Sequence, residues 1–384
     1  MKNSMIVAAL MTASFSAAAI TPESSWEEVL KEAEGQTVYF NAWGGSPQIN
    51  QYLRWANQSL QSEYKVTLEH VKVGDIAETV NRLLAEKTAG KHTGGSVDMV
   101  WINGENFKSM KQHALLWGPF VTMLPNWQYV DKSLPIDVDF TEPTLGLEAP
   151  WGVGQLVFIH DTERLKKPPR SFNALLDYAQ ENPGRISYPQ PPEFHGSSFL
   201  KAALIELSGN DERLYKPVNH DEFDTISAPL WQYLDALHKV AWQKGQRFPA
   251  SSAETKQLLD DGQLDLAITF NPNDANASIA AGSLTPSAHT FAFEKGALSN
   301  IHFMGIPWNA ENAAGALVAI NFLISPEAQI RKSDSEVWGD PAIIDTSKLT
   351  GETQGFDLFP SLPEPHPSWQ VALEESWQQR YGVQ

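Results

Sequence analysis

The sequence contains no cysteine. Disulfides, thiolate metal sites and a cysteine nucleophile are therefore excluded, and so is the cysteine to which a lipoprotein's anchor is attached. Basic residues are scarce: 28 Lys and Arg stand against 46 Asp and Glu, a formal net charge of −18. A chain that neutralises phosphates needs a basic face, so nucleic acid is excluded as a partner. Beyond the amino terminus, no apolar run is long and uninterrupted enough to cross a bilayer as a helix. Catalytic signatures are missing as well. There is no G-x-S-x-G elbow, no Walker A sequence and no HExxH, and no G-x-G-x-x-G follows the first strand. The 10 His are scattered without metal-ligand spacing.

The amino terminus carries an address. Met1-Lys2-Asn3 is a short positive segment, Met5 to Phe15 is apolar but short, and Ser16 to Ala19 are small. This layout predicts a secretory signal peptide over 1–19, cleaved after Ala19. An exported chain without a lipid anchor needs an outer membrane to retain it, so a Gram-negative periplasm is expected. The remaining length is too great for one small core and predicts two lobes. The chain is also rich in aromatics, with 13 Trp, 18 Phe and 9 Tyr.

One arrangement recurs: a β-branched or aromatic strand, a short turn, then a helix start. The first is VYFNAWGGSPQIN, residues 38–50. Ser46 is a natural N-cap, Pro47 fits the first helical position, and Ile49, Leu53, Ala56 and Leu60 share a face. The second is VDMVWINGENF, a strand over 97–102 with its turn at Asn103-Gly104. The third has a strand ending at Tyr188, a proline-rich loop, and Gly196-Ser197-Ser198 opening a helix. The fourth has a strand over 264–270 with Asn271 to Asp274 as caps. A weaker fifth ends at Trp308 and Asn309. Alternating strands and helices predict an α/β fold with mainly parallel sheets. Ligands of such sheets sit off the carboxyl ends of strands, where helix N-termini offer free N–H groups. Trp151 to Asp161 reads as a long strand able to cross between lobes, with Gly152 and Gly154 giving it rotational freedom.

Taken in order, VYFNAWGG, GGSVDMVWINGENF, APWGVGQLVFIHD and GIPWNAENAAGALVAINFLISPEAQIRKSD resemble the periplasmic solute-binding component of bacterial ABC importers. The match is to the type II, two-lobed class, and within it to the YnjB-type group, over essentially the whole mature chain. The resemblance implies two α/β lobes joined by crossing segments, with a ligand in the cleft. It also implies that the lobes are discontinuous: 20–153 and 274–330 form one, 154–273 and 331–384 the other. A membrane permease is the implied partner, the chain is expected to be a monomer, and no cofactor or metal is expected.

Each candidate residue has a bland reading beside the functional one. Trp43 stacks on a solute or simply packs; Gly44 and Gly45 permit close backbone approach or a tight turn; Ser46 binds ligand or caps. Trp101 is wall or core. Asn103 is a ligand amide or an N-cap, and Glu105 attracts a cationic solute or complements the helix dipole. Trp151 lies at the presumed hinge, where the resemblance implies an aromatic against the ligand. Tyr188, Gly196, Ser197 and Ser198 form the opposite wall, with the helix start suited to an anion or to plain capping. Asn271, Asn273 and Asp274 carry the same ambiguity, and Trp308 is the weakest.

The expected function is periplasmic binding of a small organic solute, without catalysis, by lobe closure. Flat indole faces suit thiamine-like or polyamine-like cations, heteroaromatic rings and sugars. A ferric-iron carrier is disfavoured, since no Tyr-Tyr pair is present. Two alternatives are a secreted hydrolase of carbohydrate-like substrates, with Glu105 and Asp274 as its carboxylates, and a module that binds a protein or wall polymer in an open groove.

Overall fold

The computed structural model describes residues 20–349 and 358–382. The expected signal peptide lies outside them. In chain order the strands are β1 (Thr37–Trp43), β2 (Thr67–Val73), β3 (Met99–Ile102), β4 (Val138–Asp139), β5 (Glu142–Pro143), β6 (Glu148–Gln155), β7 (Val157–Asp161), β8 (Ala267–Thr269), β9 (Ala288–Phe291), β10 (Ala297–Gly305) and β11 (Ser361–Leu362). The helices are α1 (Trp26–Ala33), α2 (Pro47–Tyr64), α3 (Ala77–Thr88), α4 (Gly104–Gln112), α5 (Phe172–Glu181) and α6 (Phe194–Leu207), then α7 (His220–Val240), α8 (Ser252–Asp260), α9 (Asp274–Ala280), α10 (Ala313–Leu323), α11 (Pro326–Ser333) and α12 (Pro367–Tyr381).

The chain folds as two α/β lobes around two sheets. In the first, β1 lies parallel between β2 and β3, and β10 returns antiparallel beside β3. In the second, β7 is flanked by antiparallel β8 and β9. Two antiparallel neighbours connect them: β6, which runs on through Leu156 into β7, and β10, which follows β9. The long crossing strand expected over 151–161 is thus β6 and β7 with Leu156 between, its N–H donating to Leu298 O at 2.8 Å. Gly152 and Gly154 also serve close packing there. A Cβ on Gly152 would stand 1.9 Å from the Asp340 carboxylate, and one on Gly154 would stand 2.6 Å from the Phe270 ring.

Local physics accounts for the elements that aim the cleft. Ser46 and Pro47 start α2 as expected, and Ile49, Tyr52, Leu53, Ala56 and Leu60 are its buried face. The segment ending at Tyr188, expected to be a strand, joins no ladder. Its continuation holds Pro189, Pro191 and Pro192, which have no N–H to give. Asp265 N–H and Trp242 N–H instead donate to the carbonyls of Arg185 and Ile186.

Each lobe has its own core. Val38, Phe40, Leu53, Trp151, Phe303, Leu317, Trp338 and Ile344 belong to the first. Phe158, Tyr188, Phe199, Leu234, Ile268, Phe291, Trp369 and Trp377 belong to the second. Ala275, Leu284 and Ala288 also pack with Ile159 of β7. This packing differs from the division read from sequence, which placed 274–330 in the first lobe and 331–384 in the second. The return crossing is β10, so residues 275–298 lie with the second lobe and 338–344 with the first.

Candidate functional site

Strand direction decides where the cleft lies. β1 and β3 run toward the second lobe, so their carboxyl ends carry the turns 43–46 and 102–105 to the facing surface. β8 is antiparallel to β7, pairing Thr269 with Val157, so it runs back toward the first lobe and starts α9 there. α6 begins beside it, with the Phe194 and Phe270 rings 4.9 Å apart. Three turns from the two sheets and the start of α6 therefore face one another.

At one end, α2 opposes α9. Pro47, Gln48 and Gln51 line one bank of a groove of about 530 Å³, and Ala277, Ala280 and Ala281 line the other. Trp43 is 42 % exposed here. Gly44 and Gly45 are glycines for intramolecular reasons: added Cβ atoms would meet the Lys72 side chain at 2.6 Å and the Trp43 ring at 2.3 Å. Ser46 is spent on capping, accepting from Ile49 N–H at 3.4 Å and donating to Gln48 Oε1 at 3.0 Å. On the far bank Asn271 Nδ2 donates to Trp338 O at 3.3 Å and Asn273 Nδ2 to Gly339 O at 2.8 Å. These two amides tie the lobes together across the cleft.

The floor is aromatic. Trp151 is fully buried, which removes it as a cleft wall. Phe40, Tyr52, Trp101, Trp338 and His302 surround it, the nearest ring being Trp101 at 4.7 Å, edge-on. Trp101 is half-buried and lies between this core and the cleft. Beneath sits a buried ionic group. Asp340 takes Lys332 and, at 3.1 Å, His302 Nε2. Burial would push the Asp340 carboxyl up, but Lys332 and His302 outweigh it and hold it low.

At the other end, α4 opposes α6 and α12. Asn103 precedes α4 without a capping hydrogen bond from its side chain. Lys108 Nζ of α4 reaches His366 Nε2, at the start of α12, at 3.4 Å. Ser197 Oγ donates to Glu374 Oε1 of α12 at 2.5 Å. Burial pushes the Glu374 carboxyl up, and the charge of Glu105 adds to this. Glu105 is raised too, first by burial, with Lys201 opposing and Glu364 adding. Glu105 on α4 and Glu374 on α12 thus lie on opposing elements at this end of the cleft.

Several expected residues lie elsewhere. Tyr188 is in the second core, stacked on Phe199 at 4.4 Å, with its hydroxyl 2.8 Å from both His238 Nε2 and Trp377 Nε1. Ser198 is fully buried, and Gly196 is a glycine because Pro189 O would lie 2.2 Å from a Cβ. Asp274 is consumed by Lys256 at 2.8 Å, Thr269 Oγ1 at 2.6 Å and Ser278 Oγ at 2.9 Å. Burial raises its carboxyl, yet these partners keep it low. Trp308 follows β10, which is antiparallel to β3, so it emerges at the edge away from the cleft and packs near Leu83 and Leu115. Glu374, Lys201 and Phe270 were not foreseen. Trp369, Leu373 and Trp377 at helical spacing show that α12 packs, but nothing local shows that Glu374 meets Ser197.

Two discontinuous α/β lobes, a pair of antiparallel crossings and facing strand-end turns define a type II periplasmic-binding-protein fold. The chain belongs to the bacterial extracellular solute-binding protein family, whose model matches residues 55–355. It is 46% identical over 370 residues to Protein YnjB of Escherichia coli (strain K12), covering 94% of this chain and 95% of that one. Among solved structures it is similar to the periplasmic binding protein AfuA from Actinobacillus pleuropneumoniae with fructose-6-phosphate bound. That likeness has a TM-score of 0.65 at 16% identity and covers 91% of this chain and 99% of that one. A spermidine/putrescine ABC transporter protein from Listeria monocytogenes aligns with a TM-score of 0.64 at 18% identity, covering 90% and 99%. A periplasmic thiamin binding protein aligns with a TM-score of 0.62 at 15% identity, covering 91% and 96%.

Proposed function

We propose that the protein binds a small organic solute in the periplasm and delivers it to the membrane permease of an ABC importer. Closure of the two lobes does the work, and no covalent chemistry is involved. The observation that carries this reading is the convergence of three strand-to-helix turns, two from the first sheet and one from the second, with the start of α6, over hinge strands β6 and β10. Binding energy realised only when both walls touch the solute favours the closed form, which a permease then distinguishes from the open one. The aromatic floor suits thiamine-like, polyamine-like, heteroaromatic or sugar solutes. The hydrolase alternative loses one of its two proposed carboxylates, because Asp274 is bonded to Lys256, Thr269 and Ser278. The test is a thermal-shift screen of the mature protein against vitamins, polyamines, sugars, amino acids and metals, with each positive solute recovered afterwards. A dose-dependent rise with one unaltered solute is expected. Conversion of the solute to product would overturn the non-catalytic reading.

A further inference from the structure

Charge at the α4 end of the cleft is unbalanced. The carboxylates there are Glu105, Glu364 and Glu374, and the buried cation is Lys201. Lys201 is already committed: its Nζ lies 2.8 Å from Glu364 Oε2, 2.9 Å from Gln370 Oε1 and 4.7 Å above the Phe140 ring. Asn300 Nδ2 takes the other Glu364 oxygen at 3.0 Å. Lys108 and Lys111 stand with Glu142, at 3.4 and 3.6 Å. Among the described residues, no Lys or Arg pairs with Glu105 or Glu374. Glu374 has the Ser197 hydroxyl, and Glu105 has Asn106 Nδ2 at 3.5 Å.

The places where an anion would sit are taken by the chain's own carboxylates. At the start of α6, Glu193 Oε2 accepts from His195 N–H at 2.8 Å and Gly196 N–H at 3.0 Å. At the start of α4, Asp139 Oδ2 accepts from Gly104 N–H at 2.7 Å. One N–H at the start of α4 and two at the start of α6 are therefore already taken by the chain's own carboxylates.

We infer that the solute is an organic cation whose protonated nitrogen is held between Glu105 of the first lobe and Glu374 of the C-terminal helix of the second. This rests on the solute-binding reading. The two carboxylates come from opposite lobes, so closure brings like charges together. A cation between them turns that repulsion into two charge-assisted hydrogen bonds, and closure becomes favourable only when it is loaded. The Phe194 and Phe270 rings and half-buried Trp101 supply apolar and cation–π surface for the rest of the molecule. Solved structures of this fold do not choose, since a sugar-phosphate complex, a thiamin binding protein and a spermidine/putrescine transporter protein share it.

The experiment is calorimetric titration and thermal shift of the mature protein with putrescine, spermidine, choline and thiamine. Glucose and fructose 6-phosphate serve as neutral and anionic probes, and Glu105→Gln, Glu374→Gln and Trp43→Ala are run beside the parent. At least one cation is expected to bind, with affinity cut about tenfold or more by each glutamine variant. The unliganded midpoint of those variants should hold or rise, because a like-charge contact has been relieved. A purely structural carboxylate would lower it. Binding of a neutral or anionic solute that Trp43→Ala abolishes and the glutamine variants leave unchanged overturns the cation assignment while the solute-binding reading stands. Cation binding untouched by both glutamine variants, or no response to any cation, overturns it as well.

Discussion

Asn273 Nδ2 donates to the carbonyl of Gly339 at 2.8 Å across the cleft, joining residues 66 positions apart. Asn271 makes the parallel contact to Trp338. Both side chains reach from one lobe to backbone carbonyls of the other, so both act on the balance between open and closed forms. Asn271→Ala with Asn273→Ala is expected to weaken solute affinity roughly thirtyfold, at about 1 kcal/mol for each of the two hydrogen bonds. Titration would measure the loss, and small-angle scattering should show a more open unliganded particle. Unchanged affinity would mean that the clasp plays no part in closure.

Trp43 and Trp151 should separate binding from stability. Trp151→Ala removes a fully buried indole from a cluster of four aromatic rings and a histidine, at a cost of about 3–5 kcal/mol. Trp43→Ala removes a side chain 42 % exposed, and stability should stay within about 1 kcal/mol of the parent while solute affinity falls. Urea unfolding beside titration checks both halves.

Asp340→Ala strands Lys332, which is fully buried with Asp340 as its carboxylate partner. Breaking a buried pair from one side costs about 3–5 kcal/mol. Replacing both partners, as Lys332→Met with Asp340→Leu, should recover a substantial part of that loss. Equal unfolding midpoints for the single and double variants would contradict this account.

Acid should destabilise the second lobe through His238. Burial, with Asp235 opposing, pulls its imidazole down to about 4. An unfolded imidazole titrates near 6.5, so between about 6.5 and 4 the unfolded chain binds a proton that the folded chain does not. The contribution is complete above that window and is lost as pH falls through it, by up to about 3 kcal/mol. Glu105 and Glu374 act in the opposite sense, since their raised carboxyls favour the folded chain at lower pH. The readout is therefore the difference between the parent and His238→Gln, whose acid limb should be flatter.

The sequence shows the turns at 43–46 and 102–105 because their information is local: an apolar strand, a capping residue, a helical stripe. It also shows the crossing near 151, because β6 and β7 are continuous in apolar pattern. It does not show the return crossing. Ala297 to Gly305 reads as one more strand, and only the pairing of Asn300 with Gly154 and of Phe303 with Pro150 reveals its role. The same limit governs side chains. In sequence Tyr188 and Trp151 read as lying at strand ends, as ligand contacts would, yet neighbours distant in sequence bury them. Ser197 was legible as a candidate, whereas its partner Glu374 lies 177 positions away.

The weaving of the two cores also sets an order of completion for a chain that emerges amino end first. The first core needs Ile343 and Ile344, and the second needs Trp369, Leu373 and Trp377. Neither globule is whole until nearly all of the polypeptide is present. A version ending at residue 349 should retain a protease-resistant first lobe and a second lobe that is readily digested. Equal resistance of both would show that α12 is dispensable for folding.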